Sequence, residues 1–582
     1  MPRGTIDHIG LRNDTSNTNM ALRAAIASAA AKRSHGVIRR FLSAKAKTKN
    51  QTHAEKTATE APKSKGTANA MVAGGLLASC LGLYYYSKAA VHVEQEDMQV
   101  LSNWSGTHQV KTDRMFEPEN EDELLKILQE AHERGRKLRP AGNGLSPNAL
   151  SFCTDGMIRM TMMDKVLHVD KKKKQATVQA GITVQTLLDE LNKYGLTLQN
   201  LASIREQQVG GWIQAGCHGT GATLPPVEDQ IVSMKLATPA KGVIEVSASK
   251  DPELFSLAKC GLGSLGIVTE VTIQAVPAHK LVEKTITATP SEVEENHTKW
   301  LKENRHLRYM WIPYTDTVVV VTCNPVGWFQ TKEYQKFDED EKLAPARQLL
   351  IECKPELTQA EVEPLSFTEL RDHLLAIDPL NTEHVMKVNQ VEAEYWKKSE
   401  GVRVDWSDKI LGFDCGGAQW VSEVALPTGK LASPDMSDVQ YVKEVYNIIE
   451  ANHIPAPAPI EQRWTARSTA QMSPAYSPNA EDIFSWVGII MYLPSEDPAQ
   501  REAITKRFFQ YFRMTDVVRK KFYAQEHWAK IEMPTTIGET VQAQEQLRDR
   551  YPVELFNAKR NELDPGHILS NHLIETLFKP TA

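Results

Sequence analysis

A carboxylate and a guanidinium stand two positions apart in Ile460-Glu461-Gln462-Arg463-Trp464-Thr465-Ala466, directly after Pro455-Ala456-Pro457-Ala458-Pro459. The proline run fixes φ and disfavours helix, so it delivers an extended chain. Side chains alternate along an extended strand, which puts Glu461, Arg463 and Thr465 on one side. Such a pair can grip a polar substrate through charge-assisted hydrogen bonds. It can equally form an ion pair across a sheet, and the string leaves both open. A second kind of chemistry is suggested by Arg139-Pro140-Ala141-Gly142-Asn143-Gly144-Leu145-Ser146-Pro147-Asn148. Two glycines bounded by prolines make a tight turn whose bare amides suit a pyrophosphate. The third glycine and the following helix of a dinucleotide fingerprint are missing. Taken alone the loop also reads as an ordinary surface turn. Two further glycine-rich stretches, Asn200 to Gly221 and Cys260 to Thr269, lie beside strand-like sequence and could let backbone approach a large planar ligand.

These groups need elements to hold them. Glu121 to Arg134 reads as a helix leading to the first glycine loop. Val166–Asp170 and Gln175–Ala180 alternate like a hairpin around the solvated turn Lys171 to Lys174. Thr183 to Tyr194 is an amphipathic helix ended by Gly195. In the second half, Val318 to Thr322 is a buried strand, and Glu392 to Lys398 and Met436 to Ile449 are helical. The acid-rich stretch Gln330 to Pro364 reads as a variable insertion or excursion. The seven cysteines, Cys80, Cys153, Cys217, Cys260, Cys323, Cys353 and Cys415, are scattered with no CxxC and no zinc-like spacing. They read as mostly buried thiols, and no metal site is expected. Cys415 is the one most open to oxidation if exposed.

Charge is unevenly spread. Residues 1–65 carry about nine more basic than acidic residues, and the whole chain carries −6, so the remainder is strongly acidic. An acidic body argues against nucleic-acid binding and suits a basic protein partner. No acidic residue occurs between Asp14 and Glu55, a window rich in arginine, lysine, alanine and serine. That is the pattern of a mitochondrial transit peptide, with Met20 a possible alternative start. After a polar spacer, Gly66 to Ser87 is free of charge and ends in Tyr84-Tyr85-Tyr86-Ser87-Lys88. It is long enough to cross a bilayer, yet its glycines and alanines make it only moderately apolar. It is either a membrane span or a sorting signal removed in processing.

The strings Arg139 to Asn148, Gly195 to Asn200, Ala202 to Gln208, Gly219 to Ala222 and Cys260 to Val268 resemble the galactonolactone dehydrogenases. These are a branch of the aldonolactone oxidoreductases among the vanillyl-alcohol-oxidase type of FAD enzymes. The resemblance runs from about residue 91 to the end. It implies an α+β fold, with a two-subdomain FAD-binding domain over residues 91–277 and an α+β substrate (cap) domain over 278–582 whose C-terminal segment returns to the flavin. It also implies that backbone of Gly142, Asn143, Gly144, Leu145 and Ser146 cradles the pyrophosphate, with Arg139 beside it. Ser203, Gly219, Thr220, Gly221, Ile267 and Asn571 would contact the rest of the FAD. Many relatives carry a flavin-linked histidine where this chain has Leu145, which implies non-covalent FAD. Ala202 would stand beside the ring where related oxidases can have glycine, shielding it from oxygen. Glu461 would bind the reacting hydroxyls, and Arg463 would bind substrate oxygen and stabilise reduced flavin. Glu526-His527-Trp528-Ala529-Lys530 resembles the family segment whose lysine reaches the flavin or substrate, which selects Lys530 over His527. The implied reaction is oxidation of L-galactono-1,4-lactone to L-ascorbate with cytochrome c as acceptor, or oxidation by oxygen in an aldonolactone oxidase. The implied location is the mitochondrial inner membrane or intermembrane space, with a further role in respiratory complex I assembly.

Overall fold

The computed structural model describes residues 98–327, 332–413 and 415–580. The basic segment 1–65 and the uncharged stretch 66–90 lie outside the described residues. Among the described residues no helix is long and apolar enough to cross a membrane.

The first half is built from a small parallel sheet and a larger antiparallel one. Met157–Arg159 pairs in parallel with Met115–Phe116 on one side and Arg139–Ala141 on the other. The helix Glu121–Glu133 starts where expected: the Asn120 side chain accepts from the Glu123 amide, and Glu123 returns a bond to the Glu119 amide. Its Leu124, Leu128 and Ala131 are buried with Leu138, Ile158 and Met160. The first glycine loop leaves the end of Arg139–Ala141. The antiparallel sheet runs in the order Gly242–Ser247, Ile231–Thr238, Ile267–Gln274, Gln175–Gln179, Val166–Asp170. The hairpin turn has Lys174 at φ 55°. The helix Val184–Asn192, capped by Thr183, buries Val184, Leu187, Leu188 and Leu191.

The second half is dominated by a ten-stranded sheet. At its middle, the strands His306–Trp311, Ile460–Ala466, Asp482–Tyr492 and Gln419–Lys430 lie side by side, all antiparallel. Their register matters for chemistry. Met310, Glu461, Gly488 and Glu423 form one row across four strands, and Arg308 pairs with Arg463 in the row two residues along. Opposed residues share a face of the sheet, so distant parts of the chain converge there. Of the predicted helices, 392–398 is the end of a longer one, Thr382–Lys398, and the other spans Ser437–Ala451.

Two segments are more ordered, or ordered differently, than the sequence suggests. The acid-rich stretch read as an excursion contains the helices Glu339–Cys353 and Gln359–Val362. With Phe367–Leu375 and Thr382–Lys398 they bury Leu343, Leu350, Val362, Leu370, Leu374 and Val385 in a core of their own. The acidic residues capped the helices and hid the apolar periodicity. Asp564 to Asn571, which resembles the family's closing strand in sequence, is instead a turn. The Asp564 carboxylate accepts from the Ile568 and Leu569 amides, and Asn571 caps the helix His572–Leu577. The segment does return to the first half: Leu138 donates its amide to Ile568 and Arg139 donates to Leu569.

Candidate active site

A single elongated cavity of 530 Å³ runs from the first glycine loop, past Ala202 and Ser203, to the face of the ten-stranded sheet. At the loop end, the amides of Asn143, Gly144, Leu145 and Ser146 donate to no other group among the described residues. Gly144 takes φ +67°, which turns the chain into the nest. The loop is fixed from outside: Trp104 donates to the Gly144 carbonyl, and Asn143 donates to the Glu206 carbonyl at 2.7 Å. A set of unused amides on a concave wall fits a pyrophosphate. Leu145 lines the same cavity and offers no nucleophile.

Among the expected cofactor contacts, Ala202, Ser203 and Ile267 line the cavity. Arg139 lines it too, but its guanidinium is committed elsewhere, donating to the carbonyls of Leu150, Leu262, Gly263 and Leu569 and to Ser264. Gly219, Thr220, Gly221 and Asn571 are not in the cavity wall. A Cβ on Gly219 would stand 2.4 Å from the Leu201 carbonyl and closer still to Asn200, so glycine there serves chain-on-chain packing. The Gly221 amide donates to Trp464, and Thr220 Oγ1 donates to Leu307. Asn571 spends its amide on the carbonyls of Ala149, Leu150 and Phe152.

At the sheet end, Glu461, Arg463 and Lys530 meet around Glu423, a residue the sequence reading missed. Arg463 donates to Glu423 at 2.9 Å and Lys530 donates to its other oxygen at 2.8 Å. His218 Nε2 lies 3.0 Å from it, and the His218 ring stacks on Trp486 at 3.8 Å. Arg463 also lies 3.4 Å from Glu461, and Arg308 lies 3.8 Å from Glu461 on its other side. Burial pushes the Glu423 carboxyl up, but Lys530, His218 and Arg463 outweigh it and hold it well below the usual carboxylate range. Burial lowers the Arg463 guanidinium, while Glu461 and Glu423 raise it further, so the net shift is up. The one signal for Glu423 was a carboxylate inside the otherwise largely apolar strand Gln419–Lys430. His527 is buried, and its Nδ1 accepts from the Ala529 amide at 3.0 Å. Burial first and Lys530 second hold it neutral, far below the usual imidazole range. His218, Glu423 and His527 are close enough together to suggest a metal site. However, Arg463 and Lys530 already occupy the carboxylate, and two cations beside it oppose a third.

Thiols behave as expected where they are buried: Cys217 is pushed up to about 11 by burial. Cys415 is half-buried in the cavity wall, with Sγ 3.0 Å from Ser203 Oγ.

The buried imidazole His306 gives a pH prediction. Its Nδ1 lies 2.7 Å from the Thr220 carbonyl, and burial lowers it to about 4. The unfolded chain takes up this proton near pH 6.5 and the folded chain does not, so His306 withdraws stability as pH falls from about 6.5 to 4. His306→Gln should therefore flatten the profile, with wild type losing about 3 kcal/mol more than the variant over that interval. Denaturant melts of both proteins at stepped pH test this; parallel profiles would refute it.

The comparisons agree with the geometry. A family model described as FAD binding domain matches residues 112–247, and one described as D-arabinono-1,4-lactone oxidase matches residues 271–577. The chain is 55% identical over 498 residues to the mitochondrial L-galactono-1,4-lactone dehydrogenase of Arabidopsis thaliana, covering 83% of this chain and 82% of the relative. Identity to L-galactono-1,4-lactone dehydrogenase 1, mitochondrial, of Oryza sativa subsp. japonica is also 55%, with 84% and 85% covered. Cholesterol oxidase from B. sterolicum shares the fold, with a TM-score of 0.65 at 15% identity, covering 83% of this chain and 97% of that one.

Proposed function

Because this chain belongs to the L-galactono-1,4-lactone dehydrogenase family of FAD enzymes, we propose that it oxidises L-galactono-1,4-lactone to L-ascorbate in mitochondria. Cytochrome c is the acceptor that this reading assigns. The observation that carries it is the convergence of Glu461, Arg463, Glu423 and Lys530 at one end of a cavity whose other end is a nest of unused amides.

Bound FAD supplies the hydride acceptor for the carbinol carbon. Glu461 is placed to accept the hydrogen of the reacting hydroxyl, directly or through one water, and to take its proton. Two guanidiniums flank that carboxylate and orient it. Arg463 is placed to donate to substrate oxygen, and together with Lys530 it provides positive charge where negative charge develops. Glu423 touches both cations and fixes their positions. Leu145 leaves the cofactor without a covalent tether.

The reading is tested by steady-state turnover of the purified protein with L-galactono-1,4-lactone, comparing cytochrome c reduction with peroxide formation. Cytochrome c reduction is expected; full turnover on oxygen would favour the aldonolactone oxidase reading. Ala202 favours the dehydrogenase, since a methyl group at the cavity wall narrows oxygen's approach. Ala202→Gly should raise peroxide yield by roughly tenfold or more while sparing cytochrome c reduction. An unchanged yield would remove Ala202 from the account.

A further inference from the structure

The cavity does not stop at Glu461. Alternate residues Pro459, Glu461 and Arg463 all line it, as do Val421, Ile490, Gln419 and Tyr492 from neighbouring strands. Moving outward from Arg463, each same-face row is a step of roughly 7 Å. Beyond the Pro459 row the opposite wall is the helical lobe. The helix Thr382–Lys398 is pinned to the proline run: Asn389 donates to the Pro313 and Ala456 carbonyls and accepts from the Ala458 amide. Glu392, one turn further on, lines the cavity although it is only 3% exposed.

Its hydrogen bonding is incomplete. Glu392 Oε1 receives a long bond of 3.4 Å from Trp396 Nε1, while Oε2 has no partner among the described residues. A buried carboxylate oxygen without a donor is costly and calls for an explanation. Arg371, stacked over Tyr492 at 4.3 Å, places positive charge nearby, but a donor to Oε2 is still needed. The reacting carbinol is held at Glu461, and a six-carbon lactone extends from there by about one row. Its exocyclic diol is then directed outward, toward the Pro459 row and the wall beyond it that Glu392 lines.

We propose that Glu392 is the specificity residue for the lactone side chain, its free carboxylate oxygen accepting hydrogen bonds from the exocyclic diol. The inference rests on the proposed reaction and adds a residue that reads substrate length. A site built to bond a hydroxyl discriminates strongly once the partner is removed.

D-arabinono-1,4-lactone is the probe, since it carries one hydroxymethyl where the six-carbon lactone carries a diol. In Glu392→Leu, kcat/KM for L-galactono-1,4-lactone should fall about 100-fold, and for the five-carbon lactone less than about 3-fold. Thermal stabilisation of the protein by L-galactono-1,4-lactone should be lost in parallel, a readout that needs no turnover. The isosteric Glu392→Gln, which keeps one acceptor, should fall between wild type and leucine and serves if leucine disturbs folding. An equal fall for both lactones, or none for either, overturns the assignment. Wild type failing to oxidise L-galactono-1,4-lactone at all would instead overturn the proposed reaction.

Discussion

Arg463→Ala is expected to lower kcat/KM by about three orders of magnitude. The guanidinium is buried and contacts Glu423 at 2.9 Å and Glu461 at 3.4 Å. Its removal takes away the donor proposed for substrate oxygen and one of the three cations, with Lys530 and Arg308, at that end of the cavity. It also leaves two carboxylates with Lys530 and Arg308 as their remaining cations. Arg463→Lys should recover little, because a point charge cannot reproduce a planar fork that contacts Glu423 and Glu461 together. Stopped-flow reduction by substrate separates this step from reoxidation. A lysine variant within about tenfold of wild type would mean that charge alone suffices and the fork is unnecessary.

The second large effect is on folding. Glu423→Leu should destabilise the protein by about 3–5 kcal/mol, the usual cost of leaving buried charge uncompensated. Glu423 is 5% exposed and is the shared acceptor of Arg463 and Lys530, with His218 beside it. Glu423→Gln keeps the shape and one acceptor and should cost less. The measurement is a denaturation midpoint in the absence of substrate, so that stability is read apart from turnover. Leucine and glutamine variants melting with wild type would show that the two cations find other partners.

How much of this was legible beforehand varies by residue. Glu461 and Arg463 could be paired because their spacing of two survives intact in the strand Ile460–Ala466. Glu423 could not be placed beside them. It lies on another strand, and only the register through Gly488 brings the two carboxylates into one row. Gly488 itself carries a message that composition hides: a Cβ there would have nothing nearer than 3.9 Å, so the open space belongs to the cavity. The glycines at 219 and 221 misled in the opposite direction. Sequence shows that backbone must come close to something, but not whether that neighbour is a ligand or another stretch of chain. The helical lobe was obscured because its acidic, solvated faces outnumber the apolar positions that pack inside it.

The tie between residues 568–571 and the first glycine loop has a consequence for the order of folding. Leu138 and Arg139 are bonded to Ile568 and Leu569, and Asn571 holds the carbonyls of Ala149, Leu150 and Phe152. The residues that buttress the nest therefore stand more than four hundred positions away from it along the chain. A chain whose far segment has not yet docked lacks that buttress however well its earlier segments have folded. Setting the nest is thus a long-range step, slow to close compared with the local turns around it.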